Sequence, residues 1–137
     1  MHNYESILST TPNPSQLDTK VLAACLDACA GCELSCVSCA DACLNEKNVD
    51  MLRRCIRLDL DCADVCGTTA RLLARLTSAD ATLLRGQLEI CAQACAACAL
   101  ECERHAQHHE HCRICAEACR ACEEACEQLL QTLPSAA

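Results

Sequence analysis

The sequence predicts an all-α fold, an antiparallel up-down-up-down four-helix bundle with a cysteine-lined core and a short N-terminal arm. Three observations predict it. Ala, Leu and Cys are the commonest of the 137 residues, with Glu and Arg next, the prolines (Pro12, Pro14, Pro134) lie near the ends, and glycine occurs only at Gly31, Gly67 and Gly86. That is a helix-forming vocabulary. Cysteines recur in steps of four and three along the chain, the spacing that keeps one face of a helix turned the same way. The connections between the periodic segments are short, which makes consecutive helices antiparallel neighbours. A chain of this length can bury one core of its own. Phe and Trp are absent and Tyr4 is the single aromatic, so that core must be Leu, Ala and Cys.

Residues 1–16 form the arm, with a turn or two around Ile7 and Leu8 before the breaker "TPNPS". The bundle spans 17–134, and 135–137 are a tail. The first helix runs from about Asp18 to Leu44 and contains "CLDACAGCELSCVSCADAC", with thiols at Cys25, Cys29, Cys32, Cys36, Cys39 and Cys43. After the polar turn "NEKN", Asn48 is the expected N-cap of the second helix, which ends near Leu76. Ser78 is the expected N-cap of the third, with Asp80 in its first turn. The third helix carries Cys91, Cys95, Cys98 and Cys102. The turn "QHHEH" leads into the fourth, which carries Cys112, Cys115, Cys119, Cys122 and Cys126 and stops at Pro134. The second helix breaks the pattern. Stepping from Cys55 to Cys62 and Cys66 puts Asp59 on the inward stripe, whereas a register through Leu58 turns it to solvent; spacing alone leaves both open. Gly31 and Gly67 are read as points of close helix contact, and Arg53, Arg54, Glu123 and Glu124 as solvated surface.

Eighteen cysteines in a short chain suit a secreted disulfide scaffold or a cytosolic metal or redox protein. "MHNYESILSTTPNPSQL" has neither a cationic start nor a long apolar stretch, and no later segment is read as apolar for long enough to cross a membrane. The expectation is a reducing cytosol, where thiols bind metal or do redox chemistry. A net charge of −8 argues against nucleic acid or an anionic membrane as partner and suits a cationic guest.

Antiparallel topology gathers Cys43, Cys55, Cys102 and Cys112 at one end with Met51, Asp59, His105, His108, His109 and His111. This end is a polar mouth. The other collects Val21, Leu22, Leu72, Leu73, Leu76, Leu83, Leu84, Leu88, Leu129, Leu130 and Leu133, ordinary apolar packing. Met51 is expected to cap the core. His108 and His109 read as turn residues, although His109 also continues the stripe. His105, three after Cys102, and His111, four before Cys115, read as metal ligands.

Eight CxxxC pairs can be drawn (25/29, 32/36, 39/43, 62/66, 91/95, 98/102, 115/119, 122/126), leaving Cys55 and Cys112 outside. Residues four apart sit one turn above each other, where one ion reaches both sulfurs. Soft thiolates select Cu(I), an ion content with two or three ligands. Zinc wants four thiolates in a tetrahedron, and iron–sulfur clusters use cysteine runs that wrap the cluster. Two thiolates per Cu(I) would leave negative charge in an apolar core, so sulfurs should bridge ions and capacity should approach the cysteine count. All eighteen cysteines are therefore candidate ligands, and so many equivalent sites suit storage rather than catalysis. The alternatives are an iron–sulfur or thiol redox protein, or a zinc or soft-metal buffer.

The segments "CIRLDLDCADVC" and "HCRICAEACRACE", with the six-cysteine first helix, resemble the bacterial four-helix-bundle copper storage proteins, specifically their cytosolic branch. The similarity runs from about residue 18 to 130. It implies a homotetramer of bundles, each filled with many Cu(I) ions that pass a mouth of His and acidic or amide side chains. Asp59, His105 and His111 match that mouth, and the resemblance turns Asp59 inward. A cytosolic copper chaperone is the expected delivery partner.

Overall fold

Asp18 opens the first long helix: its carboxylate accepts the backbone N–H of Lys20 at 2.8 Å and of Val21 at 3.1 Å, satisfying two donors that have no partner within the helix. The computed structural model describes residues 2–134; Met1 and the tail 135–137 lie outside the described residues. The elements are α1 (Asn3–Thr10), α2 (Thr19–Leu44), a 3-10 turn (Val49–Leu52), α3 (Arg53–Leu73), α4 (Ala81–His105) and α5 (Glu110–Thr132). Helix α2 packs against α3 and α5, and α4 packs against the same two. The four long helices thus form a square in which chain neighbours are spatial neighbours, as the short connections require.

Several boundaries differ from the sequence expectation. Asp80, not Ser78, caps α4, accepting from Leu83 N at 2.9 Å; a carboxylate at the positive end of a helix is the stronger choice. Asn48 makes no side-chain cap, because the chain first takes the 3-10 turn and α3 begins only at Arg53. Helix α3 stops at Leu73 rather than Leu76, which lets Leu76 fold over the apolar end as a buried side chain. At the C-terminus Pro134 holds Leu133 in an extended conformation and ends α5.

The arm is a helix of eight residues, α1, whose Tyr4 and Leu8 pack on the core and whose Tyr4 hydroxyl donates to Asp27. Between Pro12 and Pro14, Asn13 adopts φ 55° and donates from Nδ2 to Thr77 O at 3.0 Å; asparagine tolerates this left-handed region better than most residues. Gly67 abuts only the carboxylate at the flexible end of the Glu33 side chain, and nothing lies within 4 Å of a Cβ built at Gly31, so neither glycine serves the close helix contact expected of it.

The membrane expectation also needs correcting. Within α2 an 18-residue window reaches a mean hydropathy of 1.6, enough by length and composition to span a bilayer. Cysteine and alanine supply much of that value, and the cysteine stripe of α2 is buried inside the bundle. Leu34 and Val37 lie exposed on its outer face.

Candidate metal centre

Each long helix contributes one stripe of cysteines, and the square arrangement points all four stripes at a common axis. All eighteen thiols are unbridged and buried. From the closed end toward the mouth, sulfur contacts run Cys25–Cys126 (3.9 Å), Cys29–Cys122 (3.6 Å), Cys66–Cys95 (3.6 Å), Cys32–Cys119 (3.7 Å), Cys36–Cys119 (3.6 Å), Cys36–Cys115 (3.8 Å) and Cys55–Cys102 (3.6 Å). Contacts also run along single helices at the CxxxC pairs 32/36 (3.8 Å), 62/66 (3.8 Å) and 98/102 (4.0 Å). The column is thus knitted across helices as well as along them, a feature the spacing did not reveal.

Sets of four donors lie within 4.8 Å of one another: Cys29, Cys91, Cys122 and Cys126; then Cys32, Cys66, Cys95 and Cys122; Cys32, Cys36, Cys62 and Cys119; Cys36, Cys98, Cys115 and Cys119; and, at the mouth, Cys39, Cys43, Cys112 and His111. The contact with Cys122 at 3.9 Å raises the Cys66 thiol. Burial, then the charge of Cys55, pushes Cys43 up to about 12. A metal ion entering the column must displace such protons.

Asp59 turns inward, which settles its register. It is fully buried, and its Oδ1 accepts from the thiols of Cys98 at 3.1 Å, Cys115 at 3.4 Å and Cys102 at 3.5 Å. Burial, followed by the nearby Cys115, pushes its carboxyl up to about 7. Its Oδ2 is buried with no hydrogen-bond partner among the described residues. An unpaired acceptor among thiols is costly to the apoprotein and available to a cation.

The histidines divide. His111 Nδ1 lies 3.4 Å from Cys39 Sγ and 3.6 Å from Cys112 Sγ, at the end of the thiol column. Its Nε2 donates to Glu46 Oε2 at 3.1 Å, a bond that holds the Glu46 carboxyl below its ordinary range. His105 Nε2 instead meets Glu101 Oε2 at 3.0 Å, and Glu101 is itself nearly buried and faced by Arg54 and Arg104, each at 3.5 Å. His108 is an exposed turn residue. His109 is mostly buried beside His111, ring centroids 5.5 Å apart, and more than a turn residue. Met51 is 72% exposed and caps nothing; its neighbour Leu52 is buried there instead. Glu46 and Glu101 were not legible as site residues, since each is one acid among many in a polar sequence.

The opposite end is closed by Leu22, Leu26, Leu73, Leu76, Leu84, Leu88 and Leu129, all buried, with Val21, Leu130 and Leu133 packed against them. Leu83, expected among them, is 58% exposed. The whole is a blind tube of soft donors with carboxylates and imidazoles at one end.

Residues 18–131 match the family model described as copper storage protein (Csp). Among solved structures, the copper storage protein Ccsp of Streptomyces lividans loaded with 10 copper equivalents is 50% identical, with a TM-score of 0.93, over 96% of this chain and 100% of that one. A second structure, of copper loading to a cytosolic copper storage protein from Streptomyces lividans with five coppers, is 54% identical over 84% of this chain and 96% of its own, TM-score 0.82. The apo copper storage protein 3 of Bacillus subtilis is 35% identical over 79% of this chain and 97% of its own, TM-score 0.67. A matched family model over nearly the full bundle, on a fold whose axis is a column of thiols, leads to one conclusion: the chain belongs to the bacterial copper storage protein family.

Proposed function

We propose that this protein stores Cu(I) in the cytosol, holding many ions at once on the thiolates inside the bundle, and that it has no catalytic centre. The observation that carries the reading is overlap. Cys32, Cys36, Cys119 and Cys122 each belong to two of the four-donor sets, so the column does not divide into separate four-thiolate sites of the kind that zinc or an iron–sulfur cluster fills. Shared sulfurs suit a soft, singly charged ion, because one Cu(I) per bridging thiolate neutralises the column. The copper-loaded relative from Streptomyces lividans supports the cargo, and the second Streptomyces lividans structure, of a cytosolic copper storage protein, supports the compartment.

The proposed ligands are the eighteen cysteines, with Asp59, His105 and His111 serving the ions that pass the mouth. A homotetramer is the proposed assembly, supported by the exposed apolar side chains Leu34 and Val37 of α2 and Ile114 of α5. A cytosolic copper chaperone is the proposed donor, since soft ions exchange readily between thiolates. The test is an anaerobic titration of the fully reduced protein with Cu(I) against a competing chromophoric chelator. A plateau near one ion per cysteine supports storage. A plateau at about four ions or fewer, the capacity of separate four-thiolate sites, would overturn it.

A further inference from the structure

Glu46 sits in the connection between α2 and α3, outside every thiol stripe, yet its Oε2 meets two imidazoles at the start of α5: Nδ1 of His109, the residue before the helix, at 2.5 Å, and Nε2 of His111, in its first turn, at 3.1 Å. An ionised carboxylate has no proton to give, so each of those nitrogens carries the hydrogen and donates it. A neutral imidazole has one N–H and one lone pair, which leaves the lone pairs on the opposite nitrogens. In His111 that is Nδ1, facing Cys39 Sγ at 3.4 Å and Cys112 Sγ at 3.6 Å. In His109 it is Nε2, which is buried with no hydrogen-bond partner among the described residues. Leaving a buried acceptor unpaired costs about 1–3 kcal/mol, a cost that a bound cation removes.

We propose that Glu46 is a positioning residue of the mouth: it holds His109 and His111 in opposite tautomers, so that one carboxylate presents two nitrogen lone pairs, Nε2 of His109 and Nδ1 of His111, to the first Cu(I) that arrives. The inference rests on the reading of this protein as a Cu(I) store and adds the group that prepares its mouth. The two rings are stacked, so fixing one restrains the other. Carboxylates that hold the far nitrogen of a metal-binding imidazole orient the ring and raise its basicity, and removing them typically costs roughly 10–100-fold in metal affinity.

The test uses the reduced, full-length protein with ¹⁵N-labelled histidine, as wild type, Glu46→Ala, Glu46→Gln and His111→Ala, at about pH 8, above the ordinary imidazole pKa of about 6.5. In the wild-type apoprotein the ring ¹⁵N shifts should report Nε2–H for His111 and Nδ1–H for His109. Glu46→Ala should mix the tautomers, and Glu46→Gln, whose amide oxygen still accepts, should keep them. The rate at which the first Cu(I) equivalent is taken up, followed by stopped flow, should fall roughly 10-fold or more in Glu46→Ala, recover in Glu46→Gln, and leave total capacity unchanged. The reverse or averaged tautomers in the wild type, or equal uptake rates in wild type and Glu46→Ala, would overturn the proposal. Failure of the storage reading has another signature: the wild type and His111→Ala would both plateau at about four ions or fewer.

Discussion

At one end of the bundle Leu73, Leu88 and Leu129 are wholly buried among other leucines; at the other, Asp59 Oδ2 and His109 Nε2 are buried with no hydrogen-bond partner among the described residues. The same four helices make both ends. Leucines close the first with large apolar side chains in fixed contacts, the arrangement that contributes most to stability per residue. The thiol column between the ends is filled by small side chains whose sulfurs lie 3.6–4.0 Å apart, and the mouth adds polar atoms that the apoprotein leaves partly unsatisfied. Stability and binding are therefore segregated along the axis: the leucine end anchors the fold, and the column and mouth can accept ions without supplying the anchor.

The strongest way to break that contrast is to cut the anchor. Leu88→Ala should destabilise the apoprotein by about 2–5 kcal/mol, the range for leaving a cavity where a core leucine stood, while copper held per folded chain stays the same. Chemical denaturation and a Cu(I) count on the same sample check both halves; a loss of bound copper without a loss of stability would refute the segregation. Second, replacing Cys32, Cys36, Cys62 and Cys119 together by Ala removes one of the four-donor sets from mid-column. Capacity should drop by about four ions, one per lost thiol, and an unchanged plateau would mean that these thiols only pack.

A smaller effect is expected at the mouth, and it is kinetic. Asp59→Ala or His105→Ala should slow copper uptake or removal by roughly the tenfold typical of losing a supporting metal contact, while lowering total capacity little. Stopped-flow loading followed by an equilibrium count separates rate from capacity; unchanged rates would count against the mouth. The smallest effect belongs to the surface. Arg120 bridges Glu103 of α4 at 2.9 Å and Glu123 of its own helix at 2.9 Å, with side chains substantially exposed. Arg120→Ala should cost no more than about 1 kcal/mol and leave copper binding untouched.

Much of this contrast was legible in the sequence. The four-three spacing of the cysteines fixes which face of each helix turns inward, and short antiparallel connections then dictate which residues share an end. Asp59 was not settled, because an inward step from Cys55 and an outward one through Leu58 satisfy the same period; the hydrogen bonds from Cys98, Cys102 and Cys115 decide it. Ser78 and Met51 misled for local reasons. Ser78 stands only two residues before Asp80, the residue that caps α4, and the 3-10 turn rotated Leu52 rather than Met51 into the core. Glu46 and Glu101 were invisible because their importance comes from the histidines they meet, and Glu46 lies 65 residues from His111 in the chain. Polar partnerships across a fold leave no periodic trace, whereas a buried stripe does.

The most direct test of the account is anomalous diffraction at the copper edge from crystals of the reduced protein loaded to saturation. The account predicts a continuous line of copper sites from the Asp59 and His111 end through the shared sulfurs of Cys36, Cys32 and Cys122 to Cys25 and Cys126, stopping where Leu22 and Leu129 close the tube. A few isolated four-thiolate sites with unmetallated cysteines between them, or copper bound mainly on the outer surface, would contradict it.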